Sequence, residues 1–133
     1  MSNFCKSTIV SIATLAVVGY ALPASAQDAE SGKDIFRQCR ACHQIGAGAK
    51  NLVGPELNGI IGRKASSVEG FNYSQASHAA GEKGLVWTEE NLNKYLTNPA
   101  AFMPGTKMAY AGLKDEMDRK DVIAYLKKDG AAK

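Results

Sequence analysis

Five consecutive residues, Cys39-Arg40-Ala41-Cys42-His43, restrict what this chain can become more than any other feature. Two thiols three positions apart are followed at once by an imidazole. Three simpler uses of the pair do not suit the rest of the sequence. A redox dithiol expects a βαβ setting, and none is visible. A zinc site would need a second cysteine pair, and only one other histidine, His78, is present. A disulfide across this spacing closes a loop too tight to remove much chain entropy. The spacing does suit covalent haem attachment. Two thiols so placed reach the two vinyl groups on one side of a porphyrin, and the next residue carries an imidazole under the ring to bind iron. One such motif means one covalently bound haem c, with Cys39 and Cys42 as anchors and His43 as an axial ligand.

The chain has 133 residues, one domain's worth. Its beginning reads differently from the rest. Ile9 to Leu22 is apolar apart from Ser11, Thr14 and a Gly19-Tyr20 pair. Pro23 then breaks any helix, and Ala24-Ser25-Ala26 has the small-x-small form of a signal-peptidase site. The apolar run of about 14 residues is shorter than the roughly 20 that a spanning helix needs. Residues 1–26 are therefore expected to be a cleaved signal peptide, and residues 27–133 an exported domain that does not span a membrane. The expected compartment is the oxidising periplasm, where Cys39 and Cys42 remain after Cys5 departs with the leader. Lys6 departs too, so the formal charge of +3 falls by one, and acids are interleaved with bases. That balance is too mild to imply nucleic acid as a partner.

Periodicity gives helices and loops without strand-like alternation, an all-α pattern. Ser31 to Arg40 reads as a helix with Ile35 and Phe36 on its apolar face. Residues 44–63 carry glycine at 46, 48, 54, 59 and 62 and read as loop. A short helix is expected around Ser74 to Ala80. Thr88-Glu89-Glu90 opens a helix with a hydroxyl cap and acids in its first turn. That helix runs to about Thr97, with Leu92, Tyr95 and Leu96 on one side, and stops before Pro99. The last helix is expected from Asp115 to Lys128, striped by Val122, Ile123, Tyr125 and Leu126 and ended by Gly130. So few short helices make a thin core. The loops are therefore expected to wrap the porphyrin and use it as core, and the haem-free chain to be largely unfolded.

For the other face of the iron the chain offers His78, Met103, Met108 and Met117. His78 lies in a polar stretch rich in Ser, Ala and Gly, and Met117 near the start of a charged helix. Asn98 to Met108 reads as a loop fixed by two prolines and a glycine, which suits a ligand held at a set distance. Composition does not choose between Met103 and Met108.

Further blocks follow in order along the chain. They are Gly32-Lys33-Asp34-Ile35-Phe36, Val53-Gly54-Pro55-Glu56-Leu57-Asn58-Gly59, Gly62-Arg63-Lys64 and Gly70-Phe71-x-Tyr73-Ser74. Then come Trp87-Thr88-Glu89-Glu90, Tyr95-Leu96-x-Asn98-Pro99, Pro104-Gly105-Thr106-Lys107-Met108, Ala109-Tyr110-Ala111-Gly112 and Asp121 to Lys128. With the haem motif, these blocks resemble class I cytochrome c, and within it the cytochrome c2 group of photosynthetic and related alphaproteobacteria. The likeness spans residues 27–133.

The resemblance implies the class I cytochrome c fold, a few short helices and long loops around one haem. It implies Met108 as the axial sulfur, with Met103 left to packing, and the Pro55 carbonyl as partner of the second nitrogen of His43. It places Arg63, Tyr73, Ser74, Trp87 and Thr106 where the family hydrogen-bonds the haem propionates, and Tyr95 near the methionine sulfur. Gly32, Phe36 and Tyr125 resemble the contact of first and last helices. Two residues, not three, separate Phe36 from Cys39. The stretch from Tyr73 to Trp87 is longer than the mitochondrial one by about three residues, and Ser77 replaces an asparagine. Lysines near the haem edge are thinned, with Ala100 and Ala101 after Pro99; Lys50, Lys64, Lys107 and Lys114 remain as a candidate basic rim.

With both axial positions filled, the implied protein is an electron-transfer protein and not an enzyme. The expected role is a periplasmic, monomeric single-electron carrier. It would pass electrons from the quinol-oxidising cytochrome bc complex to a terminal oxidase or a photosynthetic reaction centre, docking transiently at the haem edge. An enzyme or sensor with an open iron, or a dithiol oxidoreductase, are the competing classes.

Overall fold

The structure is a computed structural model that describes residues 27–131. The signal-peptide expectation for residues 1–26 lies outside them. Five α-helices follow one another: α1 (Ala29–Ile35), α2 (Gln75–Glu82), α3 (Glu89–Thr97), α4 (Pro99–Phe102) and α5 (Glu116–Gly130). A 3-10 turn over Phe36–Gln38 continues α1. Among the described residues there is no strand, only an isolated antiparallel bridge between Lys64 and Val86.

Each helix begins where a side chain can take up one of its first free amides. Asp28 accepts from the Glu30 amide at 2.9 Å, Ser74 from Ser77 at 3.1 Å, and Thr88 from Asn91 at 3.1 Å. Asp115 accepts from Met117 and Asp118. The first helix therefore starts at Ala29, just after its Asp28 cap and two positions before the expected Ser31. Asn98 caps a single turn, α4, inside the stretch expected to be loop, because Pro99 suits the first helical position. The last helix passes Lys128 and includes Gly130, whose carbonyl accepts the Gly59 amide at 2.8 Å. A partner in the loop thus extends the helix past its expected stop.

α1 crosses α5 at Gly32. A Cβ there would fall 2.9 Å from Tyr125 Cβ and closer still to the Asp121 carbonyl oxygen. Phe36, 1% exposed, lays its ring 5.3 Å from that of Tyr125. The Asp28 amide donates to the Asp121 carboxylate at 2.8 Å. α3 packs on α5 as well, so that Phe36, Ile60, Leu92, Leu96, Val122, Ile123, Tyr125 and Leu126 form one core. Arg119 is buried there. Its Nε donates to Asn93 and its Nη1 to the carbonyls of Leu113 and Lys114 at 2.8 Å, tying α5 to α3 and to the segment before it.

This core fills only one side of the protein. α2 packs on loops, with Gly81 against the Ala65 carbonyl. Residues 62–65 and 85–87 are laced by Gly62 N–H to Trp87 O (2.9 Å), Ala65 N–H to Leu85 O (2.9 Å) and Trp87 N–H to Arg63 O (2.8 Å). Between that lacing and the helical core the loops surround a hollow. Gly32→Ala should lower the denaturation midpoint, with a net loss of about 1–3 kcal/mol from overpacking, although alanine is the better helix former. Chemical denaturation of the pigmented protein measures this; an unchanged midpoint would contradict the close crossing.

Candidate functional site

The hollow has a volume of about 310 Å³ and draws its wall from most of the chain. Phe36, Leu92, Leu96, Val122 and Leu126 belong to both the core and this wall. The turn after the 3-10 segment supplies the thiols. Amides of Cys42 and His43 both donate to the Cys39 carbonyl, at 3.1 and 2.9 Å. This tight turn brings Cys39, Cys42 and His43 to the wall and leaves Arg40 and Ala41 exposed. Both thiols are free. Burial, with a smaller contribution from Cys42, pushes the Cys39 thiol up to about 11, so it is protonated at neutral pH.

His43 is oriented by one bond. Its Nδ1 donates to the Pro55 carbonyl at 2.7 Å, which leaves Nε2 with a free lone pair. Burial lowers the pKa of the imidazole; the Pro55 bond opposes this and the Arg63 charge adds to it. The neutral ring is the form that binds metal. Gly54 lies against it: a Cβ there would fall 2.7 Å from both ring nitrogens and closer to Cε1. The Gly54 amide donates to the Cys42 carbonyl at 2.8 Å, which holds this loop on the motif.

Residues 106–110 form a strap along another part of the wall. Thr106 Oγ1 pairs with the Tyr95 hydroxyl at 3.1 Å and accepts the Met108 amide at 3.2 Å. Lys107 Nζ donates to the carbonyls of Asn72 and Tyr73 at 3.2 and 3.3 Å. The Tyr110 hydroxyl donates to Gln38 Oε1 at 2.9 Å, joining the strap to the residue before Cys39. Met108 sits within these ties and lines the hollow. Met103, 5% exposed, lines it too from the end of α4. His78 and Met117 do not line it; His78 is exposed on α2.

The remaining predicted residues all reach the hollow: Pro55, Arg63, Tyr73, Ser74, Trp87, Tyr95 and Thr106. Tyr73 accepts the Val68 amide and Ser74 accepts the Ser77 amide, so each hydroxyl keeps its own hydrogen to donate. Trp87 lies tilted against Tyr95, ring centroids 4.9 Å apart. Arg63 spends three N–H bonds on Glu56 and Asn58. Of the four candidate rim lysines, Lys107 lines the hollow, while Lys50, Lys64 and Lys114 are exposed away from its wall. Sequence reasoning gave no individual role to Gly54, Glu56 or Gln38. The Gln38–Tyr110 pair spans 72 positions and leaves no local signal.

The wall fits a haem. Its lining is largely apolar, two thiols and a free imidazole nitrogen converge on it, and Gly54 keeps clear the space a side chain would take from His43. The cytochrome c family model matches residues 29–129. The chain belongs to the cytochrome c family. A cytochrome c2 from Blastochloris viridis is 52% identical over 114 residues, covering 84% of this chain and 87% of that one. A cytochrome c-550 from Ancylobacter novellus is 57% identical over 96 residues, 72% and 90% of the two chains. The solved cytochrome c2 of Rhodospirillum centenum superposes with a TM-score of 0.74 at 47% identity, over 77% of this chain and 98% of the other.

This cytochrome c therefore has the class I fold, carries covalently attached haem c, and is an electron-transfer protein rather than an enzyme. Gly54→Ala should displace the His43 ring and cut haem incorporation by about tenfold, the lower range for losing an orienting contact. The ratio of haem to protein absorbance in the purified cytochrome measures it. Full incorporation would mean the ring moves aside freely.

Proposed function

We propose that this cytochrome c is a periplasmic single-electron carrier of the cytochrome c2 kind. Cleavage after Ala26 releases residues 27–133 as a monomer. Cys39 and Cys42 would hold the haem covalently, and His43 and Met108 would ligate its iron. The observation that carries the reading is convergence on one hollow of two free thiols, an imidazole whose Nδ1 is engaged by Pro55, and a thioether on a tied strap. Haem iron bound there would supply a one-electron couple.

The protein's own residues do the rest. Burial favours the neutral His43 ring, and the Pro55 bond fixes it in orientation, which raises its donor strength. Thr106, Lys107 and Tyr110 hold the Met108 segment from three directions. Tyr73 and Ser74 keep hydroxyl hydrogens, and Arg63 keeps part of its fork, for the propionates that need donors when buried. The apolar side chains of α3 and α5 exclude water from the same space.

The proposed partners are the quinol-oxidising cytochrome bc complex as donor and a terminal oxidase or photosynthetic reaction centre as acceptor. Lys50 and Lys64 are exposed and free to steer an acidic surface, whereas the Lys107 ammonium is engaged by two carbonyls and that of exposed Lys114 by the Ala111 carbonyl at 3.4 Å. Leu52 and Val53, 45% and 80% exposed, add an apolar element beside Gly54. Weak, small contacts of this kind suit rapid release. No helix among the described residues is long and apolar enough to cross a membrane.

Met108→Ala and Met103→Ala separate the two sulfurs. The first should abolish the methionine–iron charge-transfer band of the ferric protein, lower the potential by more than about 100 mV within the span that axial ligation controls, and admit carbon monoxide. The second should keep the band and lose about 2–5 kcal/mol of stability as a buried methionine is truncated. The reverse assignment of effects would give the ligand role to Met103.

A further inference from the structure

We propose that Glu56 is a positioning residue that holds the Arg63 guanidinium in the haem wall and neutralises it there, keeping the reduction potential below what an unpaired arginine would set. The inference rests on the haem site described above.

Arg63 is fixed from both ends. Its carbonyl accepts the Trp87 amide at 2.8 Å. Its Nη1 donates to Glu56 Oε1 at 3.0 Å and to the Asn58 carbonyl at 2.7 Å, and its Nη2 to the Glu56 carbonyl at 2.8 Å. The ion pair is largely sheltered, the two side chains being 16% and 22% exposed. The second carboxylate oxygen of Glu56 accepts the Asn58 amide at 2.6 Å, and the Glu56 amide donates to Asn51 Oδ1 at 2.9 Å.

Placement decides what the pair can do. Arg63 lines the haem hollow, whereas Glu56 does not. Both residues line a second, outer depression with residues 46–49 and 67–69. Glu56 therefore reaches the guanidinium from the solvent side, and the pair forms part of the partition between the hollow and the surface. A lone cation in that wall would favour the less positive, ferrous state of the iron. A carboxylate 3.0 Å away turns the cation into a dipole, and most of that bias is cancelled.

This assignment is charge-specific, so isosteric pairs test it. The wild-type ferric spectrum is recorded first, since a missing methionine band there would overturn the site itself and not the role of Glu56. Reduction potentials of Glu56→Gln, Glu56→Asp and Glu56→Asn are then compared with wild type in haem-loaded protein. Removing the charge should raise the potential in both isosteric comparisons, Gln against Glu and Asn against Asp. The expected size is about three- to tenfold in the redox equilibrium, tenfold being about 59 mV for one electron. The Asp variant should stay close to wild type. Equal potentials within each isosteric pair, with the methionine band intact, would overturn the proposal. Failure of both neutral variants to incorporate haem would overturn it too, because the carboxylate would then be a requirement for assembly and not a modulator of charge.

Discussion

An apolar hollow that the polypeptide does not fill is the constraint on which the rest of this structure depends. Leu92, Leu96, Val122 and Leu126 belong both to the helical core and to the wall of that hollow. The buried side chains cluster around α3, α5 and the end of α1, and the rest of the domain is mostly loops with the short helices α2 and α4. A domain of this size buries only a modest share of its unfolded surface. A large apolar group in the hollow therefore completes the core as well as supplying the chemistry, and one covalent cofactor serves both needs.

Besides the apolar packing of Ile60, Ile45, Leu57 and Leu113 on the core, the loops are held by polar ties. Gly54 is bonded to Cys42, Pro55 to His43, Glu56 to Arg63, Thr106 to Tyr95, and Tyr110 to Gln38. Each tie joins a residue of the wall to another segment. Small polar bonds contribute about 1 kcal/mol each, so their value here is positional. They set where a nitrogen, a sulfur or a charge stands in the wall, and rigid placement is what a carrier with little internal rearrangement needs.

Local chemistry made some of this legible in the sequence. Thr88 caps α3 as expected, because a hydroxyl before an acidic first turn acts over three residues, while Asp115, expected as the first residue of the last helix, is its cap. The turn that presents Cys39, Cys42 and His43 is likewise contained in five residues. Other features depend on partners far away in the chain. Gly130 stays helical because Gly59 meets its carbonyl, and Arg119 is buried because Asn93, Leu113 and Lys114 receive it. Nothing near Glu56 in the sequence signals that it faces Arg63 from outside the hollow. The α4 turn escaped notice because two prolines and a glycine read as loop, although Asn98-Pro99 is also a helix start. The choice between Met103 and Met108 came from family resemblance alone; both reach the wall, and what distinguishes Met108 is its tied strap.

The central claim is that one porphyrin is bonded to both thiols of the motif, and Arg40 between them gives a direct way to see it. Tryptic cleavage after Arg40 separates the fragment carrying Cys39 from the fragment carrying Cys42 and His43. In the purified, pigmented protein, mass spectrometry should find those two fragments still joined, heavier by one haem and red. Two separate fragments with thiols open to alkylation would contradict the account.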